Sequence, residues 1–413
     1  MLYRLKNLSK DELFRGGFIL FFMLCVFNLL NYVFQISMAK MLGPADYSIL
    51  AVLMSIIYII SIPSEAIQTV ITKYTSLFGA SNSLGKIKDL FFRSLKKGIR
   101  LAFILFILLI LLSFALSFLL NIDFWLLAIT SLIIFLIFLI PISRGILQGR
   151  KKFGSLGLNL VIESFVKVIL AIILVLAGWK IYGAIFAVII GSAAAFLLTL
   201  ISIKDILNAN REREEFYKIY EANLPILIAM VSIVLMYSLD IIFARAFFTP
   251  QNAGEFAFVS LIGKLIIFVS ASIGKALFPL SSEGFEKGKN TRSLFKKALL
   301  LVIGIAMFAL IIYYFFPTEI ISIISLNSEQ YLPGANLLFI LGLSYAFLSI
   351  SNIIILYKLS VNKMVKKAYL LVFFVIVEVV LLFMYHDNLI EFSLALLISN
   401  LLIFLYSLFL IKE

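Results

Sequence analysis

Twelve apolar stretches occupy most of this chain, each long enough to cross a hydrocarbon core that takes about 20 helical residues. Their approximate bounds are 16–39, 46–72, 98–120, 124–147, 154–178 and 181–203, then 222–244, 254–279, 295–316, 332–357, 366–385 and 390–411. Lipid-exposed backbone must satisfy its hydrogen bonds within its own segment, and these runs are too long and too non-alternating for barrel strands. Helices are therefore expected. With 63% hydrophobic and 14% charged residues, and a mean hydropathy of +1.13, the sequence predicts an all-α integral membrane protein of twelve transmembrane helices.

The net charge of +13 does not point to nucleic acid, because the cations form short clusters between apolar stretches rather than a basic domain. The N-terminal arm, the even-numbered loops with their helix ends, and the C-terminus hold 29 of the 35 lysines and arginines, whereas the segments "NID" and "TEIISIISLNSEQ" hold none. Excess Lys and Arg mark cytoplasmic loops, so both termini are expected in the cytoplasm of a multi-pass cell-membrane protein. The first fifteen residues, "MLYRLKNLSKDELFR", are too charged for the apolar region of a cleaved signal peptide. The single cysteine, Cys25, excludes an intramolecular disulfide and a cysteine-based zinc site.

The chain also repeats itself. "AKMLGPADY" at 39–47 returns as "ARAFFTPQNAGEF" at 244–256, with Pro44 and Pro250 separated by 206 residues, and "FFRSLKKG" before the third stretch returns as "TRSLFKKA" before the ninth. The expected architecture is two six-helix lobes, 1–208 and 209–413. Six crossings are an even number, so the lobes run parallel about an axis along the membrane normal, around a central cavity that rocking opens to alternate sides. A cavity between two lobes of one chain needs no second copy, so a monomer suffices.

"AKMLGPADYSILAVLMSIIYIIS" resembles the first outer turn and second helix of the multidrug/oligosaccharidyl-lipid/polysaccharide (MOP) exporter superfamily, where a phrase like "LGPEDYG" recurs. "SLDIIFARAFFTPQNAGEFAFVSLIGKL" and "ALFPLSSEGFEKG" are similar to its seventh and eighth helices. Twelve helices and basic interior positions look most like its polysaccharide repeat-unit flippases. The resemblance implies alternating-access transfer of a polyprenyl-diphosphate-linked oligosaccharide from the cytoplasmic to the outer leaflet. No covalent bond changes. The implied partners are the lipid-linked oligosaccharide and membrane lipids, with polysaccharide-assembly proteins as candidates.

Helical periodicity nominates the residues that would meet such a substrate. Asn28, Asn31 and Gln35 share one face of the first stretch, and Tyr58, Ser61, Glu65, Gln68 and Thr72 share one face of the second. Asn159, Glu163 and Lys167 follow at i, i+4, i+8, with Glu163 and Lys167 spaced for an ion pair. On the eighth stretch Lys264 and Lys275 lie within a narrow arc about 16 Å apart. Polar stripes also hold transmembrane helices together, so packing competes with cavity lining at each uncharged position. Charge shifts the balance, because an ionised side chain near the bilayer centre costs about 3 kcal/mol or more and tends to face water. Lysines suit a diphosphate or a sugar carboxylate, and amides and hydroxyls suit sugar hydroxyls.

Lys40 and Arg245 occupy matching outer ends of the first and seventh stretches, where anchoring at the interface competes with substrate contact. Lys73 and Arg144 lie toward the cytoplasmic ends of their stretches, where orientation accounts for them, and Glu378 stands alone on the eleventh. Asp240 lies well inside the seventh stretch, as a candidate for Na⁺ or H⁺ coupling or for pairing with a lysine on another helix. No other cofactor is implied.

An enzyme lacks its usual parts here: there is no H-E-x-x-H, no P-loop and no outer Asp-x-Asp, and the single histidine, His386, sits at the edge of a stretch. The alternative is a cation-coupled multidrug antiporter of the MATE type, which shares the fold and would use acidic groups such as Asp240 and Glu65.

Overall fold

The computed structural model describes residues 2–81, 83–213, 224–288, 290–361, 364 and 367–412, with side chains except at 2–15, 17, 224, 275, 279, 286 and 412. Among the described residues there is no strand. Contacts divide the chain into two compact units, one of residues Met1–Leu42 and Ile60–Glu221, the other of Gly43–Ile59 and Ala222–Glu413.

The first unit holds most of α1 (Leu2–Ala80), then α2 (Leu84–Leu120), α3 (Phe124–Ser131), α4 (Ile133–Gly149), α5 (Phe153–Leu174), α6 (Lys180–Ser202) and the short α7 (Lys204–Asn208). Its core gathers Ile71, Leu90, Phe91, Phe138, Ile142 and Ile146 around the close approach of α4 to α1 and α2. Gly145 makes that approach possible, because a Cβ there would stand 2.9 Å from the carbonyl oxygen of Gln68.

The second unit holds residues 43–59 of α1 together with α8 (Leu224–Met236), α9 (Leu239–Phe247), α10 (Pro250–Gly263), α11 (Leu265–Glu286), α12 (Arg292–Phe315), the short α13 (Pro317–Ile324), α14 (Leu338–Ser360), α15 (Leu370–Met384) and α16 (Leu389–Lys412). The predicted seventh stretch is broken around Tyr237 and Ser238, which separate α8 from α9, and the eighth is broken at Lys264, which separates α10 from α11. The segment "TEIISIISLNSEQ", read from sequence as a plain connection, contributes to α13.

Ten helical stretches among the described residues are long and apolar enough to cross a membrane. Two of them, Phe18–Ala80 with 63 residues and Phe153–Ser202 with 50, contain enough residues for two crossings each. Both are interrupted by a glycine in the left-handed region, Gly43 at φ 73° and Gly178 at φ 90°. At the first break Pro44 reinforces the turn, since proline disfavours a helical residue before it.

The duplicated phrase is a packing motif. Around Pro250, the hydroxyl of Thr249 caps α10 by accepting from the Asn252 amide, with proline in the first helical turn. The part of the first copy that lies in this unit, 43–47, packs against the second: a Cβ on Gly254 would stand 1.9 Å from the Pro44 carbonyl oxygen. Arg245 donates to Ser48 at 3.0 Å, and the buried Tyr47 meets Phe258 and Tyr331 edge-on. Small residues that let backbones touch, plus a buried polar contact, are what holds helices together where lipid is as apolar as leucine.

Candidate functional site

Each unit buries a cluster of ionisable side chains among the described residues, and neither of these two clusters is built from a single helix. In the first unit α4 supplies Arg144, α5 supplies Asn159, Glu163 and Lys167, α6 supplies Ser192, and α1 supplies Asn31 and Phe34. Asn159, Glu163 and Lys167 recur at four-residue spacing, so α5 presents them as a column to its neighbours. Glu163 accepts from Arg144 at 2.5 Å and from Ser192 at 2.7 Å. Arg144 also donates to Asn159 at 2.8 Å, and Asn159 in turn donates to the Ala195 carbonyl at 2.7 Å.

Lys167 does not take Glu163 as its ion-pair partner, as the sequence spacing had implied. Its ammonium donates to the Asn31 side-chain oxygen and lies 4.9 Å from the centre of the Phe34 ring, with the residue only 8% exposed. The guanidinium of Arg144 arrives from a facing helix and bonds Glu163 through one nitrogen and Asn159 through another, a geometry the lysine one turn along the same helix cannot offer. Arg144, which sequence position alone explained as an orientation signal, is thus the centre of this network. The cluster holds two cations against one carboxylate.

In the second unit α9 supplies Asp240, α10 supplies Ser260, Lys264 stands at the junction of α10 and α11, and α14 supplies Tyr345. Asp240 is fully buried and Lys264 is 4% exposed. The Lys264 ammonium lies 2.8 Å and 3.0 Å from the two Asp240 oxygens, and the hydroxyls of Ser260 and Tyr345 donate to Asp240 at 2.9 Å and 2.5 Å. The lysine that the sequence placed in an open cavity is therefore the inter-helix partner expected for Asp240. Glu378 on α15 is fully buried as well; one oxygen accepts from Ser399 at 3.3 Å and the other has no hydrogen-bond partner among the described residues.

The other predicted residues scatter. Asn31 joins the first cluster, Gln35 is buried nearby on α1, and Asn28 is exposed. Gln68 donates to Gln148 at 2.8 Å and Thr72 to the Gly145 carbonyl at 3.3 Å, so this part of the second stripe binds α1 to α4, while Glu65 is exposed. Arg245 is buried against Ser48, and Lys40 is exposed. The Lys275 side chain lies outside the described residues. Ser192 and Tyr345 carried no sequence signal, since a lone hydroxyl on an apolar helix acquires its role only from the neighbour it meets.

Three comparisons bear on what such clusters serve. A search of curated proteins finds none that this sequence matches. The fold resembles an inward-facing multidrug resistance transporter of the MATE family in the MOP superfamily, with a TM-score of 0.72 and 16% identity over 92% of this chain and 93% of that one. It also resembles the MATE multidrug transporter DinF-BH, solved as a complex, at 0.68 and 16% identity over 97% and 95% of the two chains. A third is a MOP superfamily transporter from Pyrococcus furiosus whose binding pocket is described as having reverse polarity, at 0.64 and 15% identity over 96% and 95%. The family described as polysaccharide biosynthesis protein matches residues 13–285. The chain belongs to that family, as a multi-pass membrane transporter with the fold of the MOP superfamily.

Proposed function

We propose that this protein is a flippase that carries a polyprenyl-diphosphate-linked oligosaccharide from the cytoplasmic to the outer leaflet of the cell membrane by alternating access, with both termini in the cytoplasm. The observation that carries the reading is the excess positive charge of the buried cluster on α4 and α5: Arg144 and Lys167 against Glu163 alone. Isolated charge inside a membrane protein is costly and is kept where it meets a charged ligand or a wet path. A lone excess cation fits a diphosphate or a sugar carboxylate, with Asn31 and Gln35 nearby to bond hydroxyls. A cationic drug would meet repulsion there. In the second unit it would find Asp240 already neutralised by Lys264. Membership of a polysaccharide-biosynthesis family supports the same substrate class.

One observation favours the antiporter reading. Glu378 adds a second carboxylate near the Asp240–Lys264 pair, with one oxygen unsatisfied among the described residues. Asp240 and Glu378 are the groups on which Na⁺ or H⁺ coupling would act.

The deciding experiment measures transfer of a fluorescent polyprenyl-diphosphate saccharide across proteoliposomes, for the parent, Lys167→Ala and Lys167→Arg. The flippase reading expects the parent to accelerate transfer, the alanine variant to lose at least tenfold, and arginine to restore most of it. A parent no faster than empty liposomes, yet able to drive ion-dependent efflux of a cationic dye, establishes the antiporter instead.

A further inference from the structure

The second repeated phrase, "FFRSLKKG" and "TRSLFKKA", takes no part in either buried cluster. In the first unit it opens α2, a helix of 37 residues, about 55 Å long against a hydrocarbon core of about 30 Å. Its apolar portion beyond Arg100 accounts for about 28 Å, which leaves Lys96, Lys97 and Arg100 at the level of the lipid headgroups. All three are exposed. From Lys96 and Arg100 one exposed face continues through Phe103, Ile107, Leu111 and Phe118 at helical spacing, ending at a phenylalanine that is 89% exposed.

The second unit repeats the device on its own. Arg292, Lys296 and Lys297 are exposed at the start of α12, and from Lys297 an exposed face runs through Leu301, Phe308, Ile311 and Phe315. Its apolar length, from Ala298 to Phe315, is about 27 Å, so the cations again fall at headgroup level.

We propose that Lys96 with Arg100 on α2, and Lys296 with Lys297 on α12, each with the apolar face beyond it, form a docking site for one anionic glycerophospholipid, whose phosphate sits on the pair and whose acyl chains lie along the helix. Charge complementarity selects an anionic headgroup over a zwitterionic one. The cations of each pair stand at exposed positions of one helix. That arrangement suits a single phosphate at the interface better than the diphosphate of a carrier lipid. Recurrence of Lys96-Lys97 as Lys296-Lys297 at the start of a long apolar helix in both units suits an abundant membrane lipid, which has two such sites to fill.

Native mass spectrometry of the full chain in detergent, titrated separately with phosphatidylglycerol, phosphatidylcholine and a polyprenyl diphosphate, tests it. The expected result is two tightly retained phosphatidylglycerols and no comparable phosphatidylcholine. Lys96→Ala with Arg100→Ala removes one, Lys296→Ala with Lys297→Ala removes the other, and each affected site weakens about 30-fold. Replacing the lysines by arginine retains both lipids, which separates loss of charge from loss of fold. Equal retention of the two phospholipids overturns the proposal, as does an unchanged count in the alanine variants. Preferential, substitution-sensitive retention of the polyprenyl diphosphate also overturns it and assigns the faces to carrier lipid.

Discussion

Removing Lys264 tests whether the second cluster is a closed ion pair. Two nitrogen–oxygen distances of 2.8 Å and 3.0 Å, with both side chains at least 95% buried, place the pair where solvent screens little. At an effective dielectric constant of ~20, opposite charges ~3 Å apart attract by about 5 kcal/mol. Lys264→Met keeps the apolar volume but leaves Asp240 with only the hydroxyls of Ser260 and Tyr345. Stranding a buried charge in this way costs about 3–5 kcal/mol. Asp240→Asn strands the ammonium and is expected to cost a similar amount. Combining the two removes both charges, so the double variant recovers about 2–3 kcal/mol relative to the sum of the single losses. Equilibrium unfolding in mixed micelles, followed by far-ultraviolet circular dichroism for all four proteins, reads this cycle. A Lys264→Met variant within about 1 kcal/mol of the parent, or strict additivity in the double variant, would falsify the claim that these groups depend on one another.

Gly254→Ala forces a Cβ into the Pro44 carbonyl and is expected to lower stability by about 3 kcal/mol or more, whereas Gly304→Ala, with nothing within 4 Å, stays near the parent; comparative melting curves check both. On α7, outside the spanning segments, Asp205 accepts a hydrogen bond from Arg150 at 2.9 Å, with a second guanidinium nitrogen 2.7 Å from its other oxygen, and that contact holds its carboxyl below the ordinary range. A depressed carboxylate contributes stability that is fully present above its unfolded pKa of about 3.9 and lost as pH falls through the folded value. Because the pair is partly solvated the effect is at most about 1 kcal/mol, and it should vanish in Asp205→Asn when melting temperature is followed from pH 7 to pH 3.

What could be read along the chain was whatever one segment expresses by itself. Apolar length announced the helices, and the returning Pro44 and Pro250 phrases announced a duplication. The i, i+4, i+8 column of Asn159, Glu163 and Lys167 was legible because helical spacing is a local property. The choice of Arg144 over Lys167 for Glu163 was not, because the guanidinium arrives from α4. The break at Ser238 was also hidden, since no proline or glycine adjoins it, and at Lys264 the adjoining Gly263 was its one local mark.

By itself, then, the sequence determined a membrane-embedded, all-helical and internally repeated chain, and it nominated the charges worth watching. Only the tertiary structure decided which charges are matched: Lys264 closed on Asp240, and Arg144 closed on Glu163, with Lys167 turned to Asn31. It also decided that the two copies of the turn motif lie against each other, Pro44 on Gly254. The physical reason is common to both. Burial of apolar surface depends on what each segment is made of, whereas an ion pair or a backbone contact depends on which other segment arrives within about 3 Å of it.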